Sequence, residues 1–222
     1  MTRILTVGAH PDDEILGMGG TLSKLAEHKN KIFMLILTLG ETARGKKLSN
    51  GSLRTKQAKK IAGKLGATLF PIQKYPDCAF DSVPLLSLTK TVEKYIKESE
   101  PEVIYTCHGG DLNIDHQRTF QAVMTAARPG KTSVKRIYSF EVLSTTEWQA
   151  KSAATAFLPN TYIDIEQYVD KKIDLMKIYP QEMAEFPFPR SGIGIKTLAK
   201  LRGMESGLKF AEAFQLIRNI DR

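Results

Sequence analysis

Along the first two thirds of the chain, short apolar runs alternate with amphipathic stretches. RILTVGA (3–9) has the unbroken apolar character of a strand buried on both faces. EILGMGGTLSKLAEHK (14–29) places Ile15, Met18, Leu22, Leu25 and Ala26 along one side of a helix. KIFMLILTL (31–39) predicts a second buried strand, and the polar GETARGKKLSNGS (40–52) a loop. A helix over 53–66 and a strand over 67–72 follow, then a loop carrying YPDCAFDS and a helix over 84–98. The strand 102–108, the polar GGDLNID, a helix over 115–127 and the strand 135–143 complete the series.

Such alternation predicts an α/β fold: a three-layer, Rossmann-like, mostly parallel sheet with helices on both faces. The last third reads as TYIDI, a helix near 167–178, the Pro-rich YPQEMAEFPFPRSG, and a last helix with a short tail. There is no internal repeat and no low-complexity segment, so residues 1–222 are expected to form one domain with a C-terminal extension packed on it.

Parallel α/β sheets bind ligands beyond the carboxyl ends of their strands, where strand order reverses. The two densest polar clusters fall there. HPDDE (10–14) leaves the first strand, and HGGDLNIDHQR (108–118) leaves the fourth. A helix cap needs one carboxylate and no histidine, which makes HPDDE more than a strand-to-helix turn. His10 and Asp13 stand three apart across that turn, and His116, next to Asp115, would join them from across the crevice. Two imidazoles and a carboxylate suit one Zn²⁺ per chain; another divalent transition metal is compatible. Asp12 is then a spare carboxylate beside the ion, placed to act as general base. The glycines of GMGG follow the acidic cluster without forming GxGxxG, and close helix–sheet packing explains them better than phosphate binding.

Composition narrows the class. Of 222 residues, 42% are hydrophobic and 25% charged, enough for one large core. No apolar run reaches the ~18 residues of a membrane span, and MTRILTVGAH lacks the features of a secretory leader. Cys78 and Cys107 do not make a disulfide framework; two reduced thiols in a cytoplasmic protein are expected. The net charge of +8 comes from lysines spread over helix faces, which argues against a nucleic-acid partner.

With AHPDDE complete at 9–14 and an Asp–His pair opening a helix at 115–116, the sequence resembles the PIG-L/LmbE-like family of zinc-dependent N-deacetylases. Arg54 followed by AKKIAGKLG, Asp77 in YPD, and PRS with the late AEAF extend the resemblance through the chain. It implies zinc on His10, Asp13 and His116, Asp12 as base, and a small-molecule substrate, an N-acetylated amino-sugar conjugate. Arg54, Asp77 and Arg190 would then contact substrate or support the site. Asn113 stands where many members have a histidine that stabilises the tetrahedral intermediate; an amide donates a hydrogen bond but brings no charge. Asn113 and Asp115 complete the catalytic candidates, and His108 is the other candidate for the oxyanion, unless it is a hydrogen-bonded histidine at a strand end. Phe188 replaces an expected histidine, and the Arg54 helix has Lys56 and Gln57 where a Glu is usual.

Three other readings compete. A non-haem Fe(II) oxygenase uses the same donor set but usually sits on an all-β barrel. A metallophosphoesterase would suit the basic charge but wants two metals and bridging carboxylates. A sugar-binding protein with a relict site would not need all four of His10, Asp12, Asp13 and His116. The loop 40–52, with Arg44, Lys46 and Lys47, is either a closing flap or plain surface, and Trp148 either a sugar-stacking face or packing for the extension. A homo-oligomer is compatible with the sequence, which fixes neither it nor the sugar's carrier (nucleotide, lipid or glycan).

Overall fold

Ile4 packs on one side of the first strand while Leu5 and Val7 pack on the other, and all three are buried. This double burial sets the architecture, seen in a computed structural model that describes residues 1–40 and 51–221. The strands are β1 (Arg3–Gly8), β2 (Lys31–Ile36), β3 (Thr68–Leu69), β4 (Val103–Cys107), β5 (Arg136–Phe140), β6 (Thr161–Asp164) and β7 (Ala211–Asn219). The helices are α1 (Asp13–Glu27), α2 (Gly51–Leu65), α3 (Leu85–Ser99), α4 (Ile114–Ala126), α5 (Val169–Met176) and α6 (Gly192–Ser206). Short 3₁₀ turns at Phe80–Ser82 and Pro180–Glu182 lie between them.

One seven-stranded sheet runs in the order β3-β2-β1-β4-β5-β7-β6. β1 to β5 are parallel, with Ile4 facing Ile32 on one side and Val103 on the other. One layer buries Ile15, Leu22, Ile61, Leu175 and Ile195 from α1, α2, α5 and α6. The opposite layer buries Leu88, Val92, Ala122 and Val123 from α3 and α4. The three-layer α/β arrangement is therefore as the sequence predicts. Strand order reverses between β1 and β4, where both polar clusters emerge.

Two expectations need correction. The tail after the last helix is β7, which inserts antiparallel between β5 and β6, so the C-terminal extension completes the sheet. The strand expected over 67–72 pairs only through Thr68–Leu69. Phe70 N–H still donates to the Met34 carbonyl at 2.9 Å, and Pro71, which has no N–H to give a ladder, comes next.

The glycine-rich stretch is there for packing. A Cβ on Gly17 would fall inside the Phe140 ring, so α1 approaches β5 more closely than any side chain allows. At Met18 the helix leaves helical geometry (φ −147°, ψ 26°). The buried Glu212 of β7 accepts the N–H groups of Gly20 (2.9 Å) and Thr21 (2.6 Å) just beyond that kink. Lys172 pairs with the same carboxylate at 2.7 Å. Among the described residues, no helix is long and apolar enough to cross a membrane. The expected flap residues Arg44, Lys46 and Lys47 lie outside the described residues.

Candidate metal centre and the cavity around it

β1 ends at Gly8, and Ala9–Asp12 carry the chain over the sheet's crest into α1, whose first residue is Asp13. Partial positive charge at a helix N-terminus favours a carboxylate there. The backbone N–H of His10 fixes Asp13 by donating to Oδ2 at 2.8 Å. Across the crevice, Asn113 caps α4 by accepting the Asp115 N–H at 2.9 Å, and His116 follows in the first helical turn. The ligand atoms of His10, Asp13 and His116 all lie within 4.8 Å of one another, and all three residues are buried.

Each imidazole offers one nitrogen to the shared point and the other to a carboxylate behind it. His10 Nδ1 is 3.5 Å from Asp13 Oδ2, while its Nε2 is 3.2 Å from both Asp77 Oδ1 and Asp115 Oδ2. His116 Nε2 is 3.2 Å from Asp13 Oδ1, and its Nδ1 is 3.2 Å from Asp111 Oδ1. Such outer carboxylates fix ring orientation and tautomer in metal sites. His10, Asp77 and Asp115 form a second close trio, but His10 already turns Nδ1 toward Asp13. Asp77 and Asp115 thus face the ring nitrogen turned away from Asp13.

The donor set fits a divalent ion on two further counts. Both nitrogens of His116 are fully buried with carboxylate oxygens at 3.2 Å, yet none is aligned for a hydrogen bond. His116 Nε2 and His10 Nδ1 approach the two oxygens of the Asp13 carboxylate, Oδ1 at 3.2 Å and Oδ2 at 3.5 Å. The electrostatics agree. Burial alone would lower the pKa of His10, but Asp13, Asp115 and Asp77 outweigh it and hold it well above the ordinary value. For His116, burial is likewise overcome by Asp13 and Asp111, which push it up to about 9. Asp13 resists its own burial and stays well below the usual carboxylate range because both imidazoles face it. A pocket that draws protons onto two buried imidazoles is one that favours a cation.

Asp12 is held in a strained conformation. Its φ of 129° lies where L-residues are rare, a cost of roughly 1–3 kcal/mol. It occupies the N-cap position of α1, yet its side chain makes no cap bond. Instead Oδ2 accepts from Arg190 Nη1 at 2.8 Å, and Oδ1 lies 3.8 Å from Arg54 Nη2. Burial raises its pKa to about 6, with Arg190 and Arg54 pulling the other way. Glu14, also buried, is pushed up to about 8 by desolvation, with Asp12 and Asp13 adding to it.

The sequence candidates divide by position. A cavity of about 160 Å³ is lined by His10, Asp12, Asp13, Arg54, Asp77, Asn113, His116 and Arg190, together with Gly40, Cys78 and Glu182. Asp115 is completely buried behind His10 and also accepts the N–H groups of Cys78 (2.7 Å) and Phe80 (3.0 Å). His108 is not among the lining residues. Its Nε2 lies 3.0 Å from the carbonyl of Thr155 and its ring packs edge-on against Phe157, the arrangement of a hydrogen-bonded histidine at a strand end. Arg54 lines the cavity but is also a pin: it donates to the carbonyls of Leu39 (3.1 Å) and Gly40 (2.9 Å) and to Glu182 (2.6 Å).

Sequence reasoning missed Asp111 and Glu182. Asp111 accepts the Asn113 N–H at 2.8 Å and the Thr146 hydroxyl while facing His116. Glu182 sits between the guanidinium groups of Arg54 (2.6 Å) and Arg190 (3.4 Å). The carboxylate that GGDLNID carries besides Asp115 was the available signal for Asp111; nothing local marks Glu182.

Fold and site together define a class: a doubly wound α/β protein whose switch point carries a His/Asp/His set able to hold one divalent ion. The sequence matches the PIG-L family, described as GlcNAc-PI de-N-acetylase, over residues 5–127, more than half of the chain. The chain belongs to this family of deacetylases acting on N-acetylated sugar compounds. An uncharacterized deacetylase, YaiS, of Escherichia coli K12 is 27% identical over 181 residues, 78% of this chain and 88% of that protein. The N,N'-diacetylchitobiose deacetylase of Pyrococcus horikoshii superposes with a TM-score of 0.77 at 18% identity, covering 97% of this chain and 83% of that one. The 4-carboxy-2-hydroxymuconate hydratase GalB of Pseudomonas putida KT2440 gives 0.75 at 18% identity, with 100% and 98% covered. At such identities the likeness defines the fold, which serves a hydratase as well as a deacetylase.

Proposed function

We propose that this protein hydrolyses the acetamide of an N-acetylated amino-sugar conjugate with one Zn²⁺ held by His10, Asp13 and His116. The observation that carries the reading is the meeting of these three residues, each histidine backed by a buried carboxylate. A bound Zn²⁺ would polarise the acetyl carbonyl and lower the pKa of a water to roughly 7.

The protein's own groups do the rest. Asp12 accepts the proton of the attacking water on Oδ1, since Arg190 holds Oδ2 at 2.8 Å. Once protonated, the same carboxyl is the acid nearest the departing amine. Water adds to the carbonyl carbon, the C–N bond breaks, and acetate and a free amine leave. Asn113 lines the cavity with its Oδ1 occupied by the helix cap, which leaves its amide N–H₂ as the oxyanion donor. Asp77, Asp111 and Asp115 hold the imidazoles in orientation. Arg54, Arg190 and Glu182 form the buried charge frame that fixes Asp12. The unbridged thiols of Cys78 and Cys107 support a cytoplasmic setting.

The reading is tested by assaying amine release from free, nucleotide-linked and lipid-linked N-acetyl sugars, with and without a chelator. Chelator-sensitive release that zinc restores is expected. Stoichiometric zinc without release from any of them would overturn the reading.

A further inference from the structure

Of the helices α1 to α6, only α2 carries charge of a single sign. It holds Arg54, Lys56, Lys59, Lys60 and Lys64 and no acid, which is +5 of the chain's net +8. Arg54 turns inward to Glu182, while Ala58, Ile61, Ala62 and Leu65 pack into the core. The four lysines lie on the outer side, and all are exposed. Lys56, Lys60 and Lys64 follow one another at i, i+4 and i+8, a row about 12 Å long with Lys59 beside it. Leu53, 44% exposed, opens the same row three residues before Lys56. A Cβ built on Gly63 meets nothing within 4 Å, so the helix is bare there down to its backbone.

The row is also unneutralised. Several lysines elsewhere pair with carboxylates: Lys135 with Glu102, Lys177 with Asp174, Lys196 with Asp170 and Lys209 with Glu166. Among the described residues, the only ion pairs made by α2 are those of Arg54. Like charges at this spacing repel, and the helix dipole accounts only for Lys64, in the last turn. Folding gives no reason for the other three, whereas an anionic partner does.

We propose that the outer face of α2 docks this protein peripherally on a bilayer surface rich in anionic lipid headgroups. A one-sided basic helix face attracts such a surface through its negative potential. Leu53 adds an apolar contact that the acyl boundary accepts and a phosphodiester backbone does not. The face has neither the arginine forks that read base edges nor the aromatic rings on which bases stack, which favours lipid over nucleic acid. Arg54, in the first turn of α2, lines the metal-centre cavity, so the docked face begins beside that cavity. The proposal does not rest on the deacetylase reading.

Vesicle cosedimentation of the full chain tests it. The vesicles are phosphatidylcholine alone, or phosphatidylcholine and phosphatidylserine at ~2:1, in ~0.1 M salt. Binding to the mixed vesicles only is expected, with release at ~0.5 M salt as screening shortens the reach of the charges. Lys56→Gln combined with Lys60→Gln should weaken partition roughly 10- to 100-fold. Lys94→Gln combined with Lys97→Gln removes the same charge from exposed positions on α3 and should change it less than about 3-fold. Thermal melting checks that both variants stay folded. No binding to the mixed vesicles, or equal loss in the two double variants, would overturn the proposal. An oligonucleotide that binds more tightly than the vesicles, with the same dependence on Lys56 and Lys60, would also overturn it by making the row a nucleic-acid contact.

Discussion

Asp115→Asn separates a supporting role from a chemical one. In the native site Asp115 Oδ2 accepts the Cys78 N–H at 2.7 Å and lies 3.2 Å from His10 Nε2, while Oδ1 accepts the Phe80 N–H at 3.0 Å. An amide of the same shape must turn its NH₂ toward at least one of these donors. The least costly orientation unpairs Phe80 N–H alone, at about 1–3 kcal/mol for a buried group. For a chain of this length that is roughly 2–10 °C in Tm of the metal-free protein. The charge behind His10 is lost as well, and removing such a partner costs ~10–100-fold in metal affinity, about 1.4–2.7 kcal/mol. Competition with a chromophoric chelator measures the zinc Kd, and scanning calorimetry measures Tm. Unchanged zinc affinity in a folded Asp115→Asn protein would refute the supporting role. A 10³-fold fall in kcat at full zinc occupancy would instead place Asp115 at the reacting atoms.

Other expected outcomes follow from the same geometry. Asp12→Asn should retain zinc and lose ~10²–10⁴ in kcat, measured at saturating metal; full activity would remove Asp12 from the role of base. Asp12 must be ionised to accept a proton, and burial sets its pKa at about 6 before any cation is added. A bound cation can only lower that value, so activity should fall on acidification through a limb at or below about pH 6, and a kcat/KM profile with this limb above pH 7 would contradict the assignment. Gly17→Val should cost roughly 1–3 kcal/mol or more, because its side chain collides with the Phe140 ring; urea denaturation measures this, and a loss under 0.5 kcal/mol would show that α1 has room to move.

The sheet and the meeting of His10, Asp13 and His116 were legible in the sequence because their signals are local. Unbroken apolar runs mark strands covered on both faces, and HPDDE and NIDHQR each concentrate chemistry within a few residues. Residues that depend on distant partners were not. β7 begins Ala-Glu-Ala-Phe, and a strand with a buried Glu212 makes sense only once Lys172 and the kinked α1 surround that carboxylate. Glu182 lies in a Pro-rich stretch, and its two arginine partners are placed by other elements. His108 is the converse case: its position at a strand end beside the polar cluster suggested the substrate, but the carbonyl of Thr155, 47 residues away in the chain, claims its ring. Trp148 could be read either way, and its exposure of 55% argues against the packing role.

One ion shared by two segments a hundred residues apart is the feature on which the proposed chemistry depends. Metal content of the purified wild-type and His116→Ala proteins, dialysed against equal free zinc, addresses this directly. One zinc per wild-type chain and almost none in the folded variant is the predicted result. Zinc retained at full stoichiometry by His116→Ala, or absent from the wild-type protein, would contradict it.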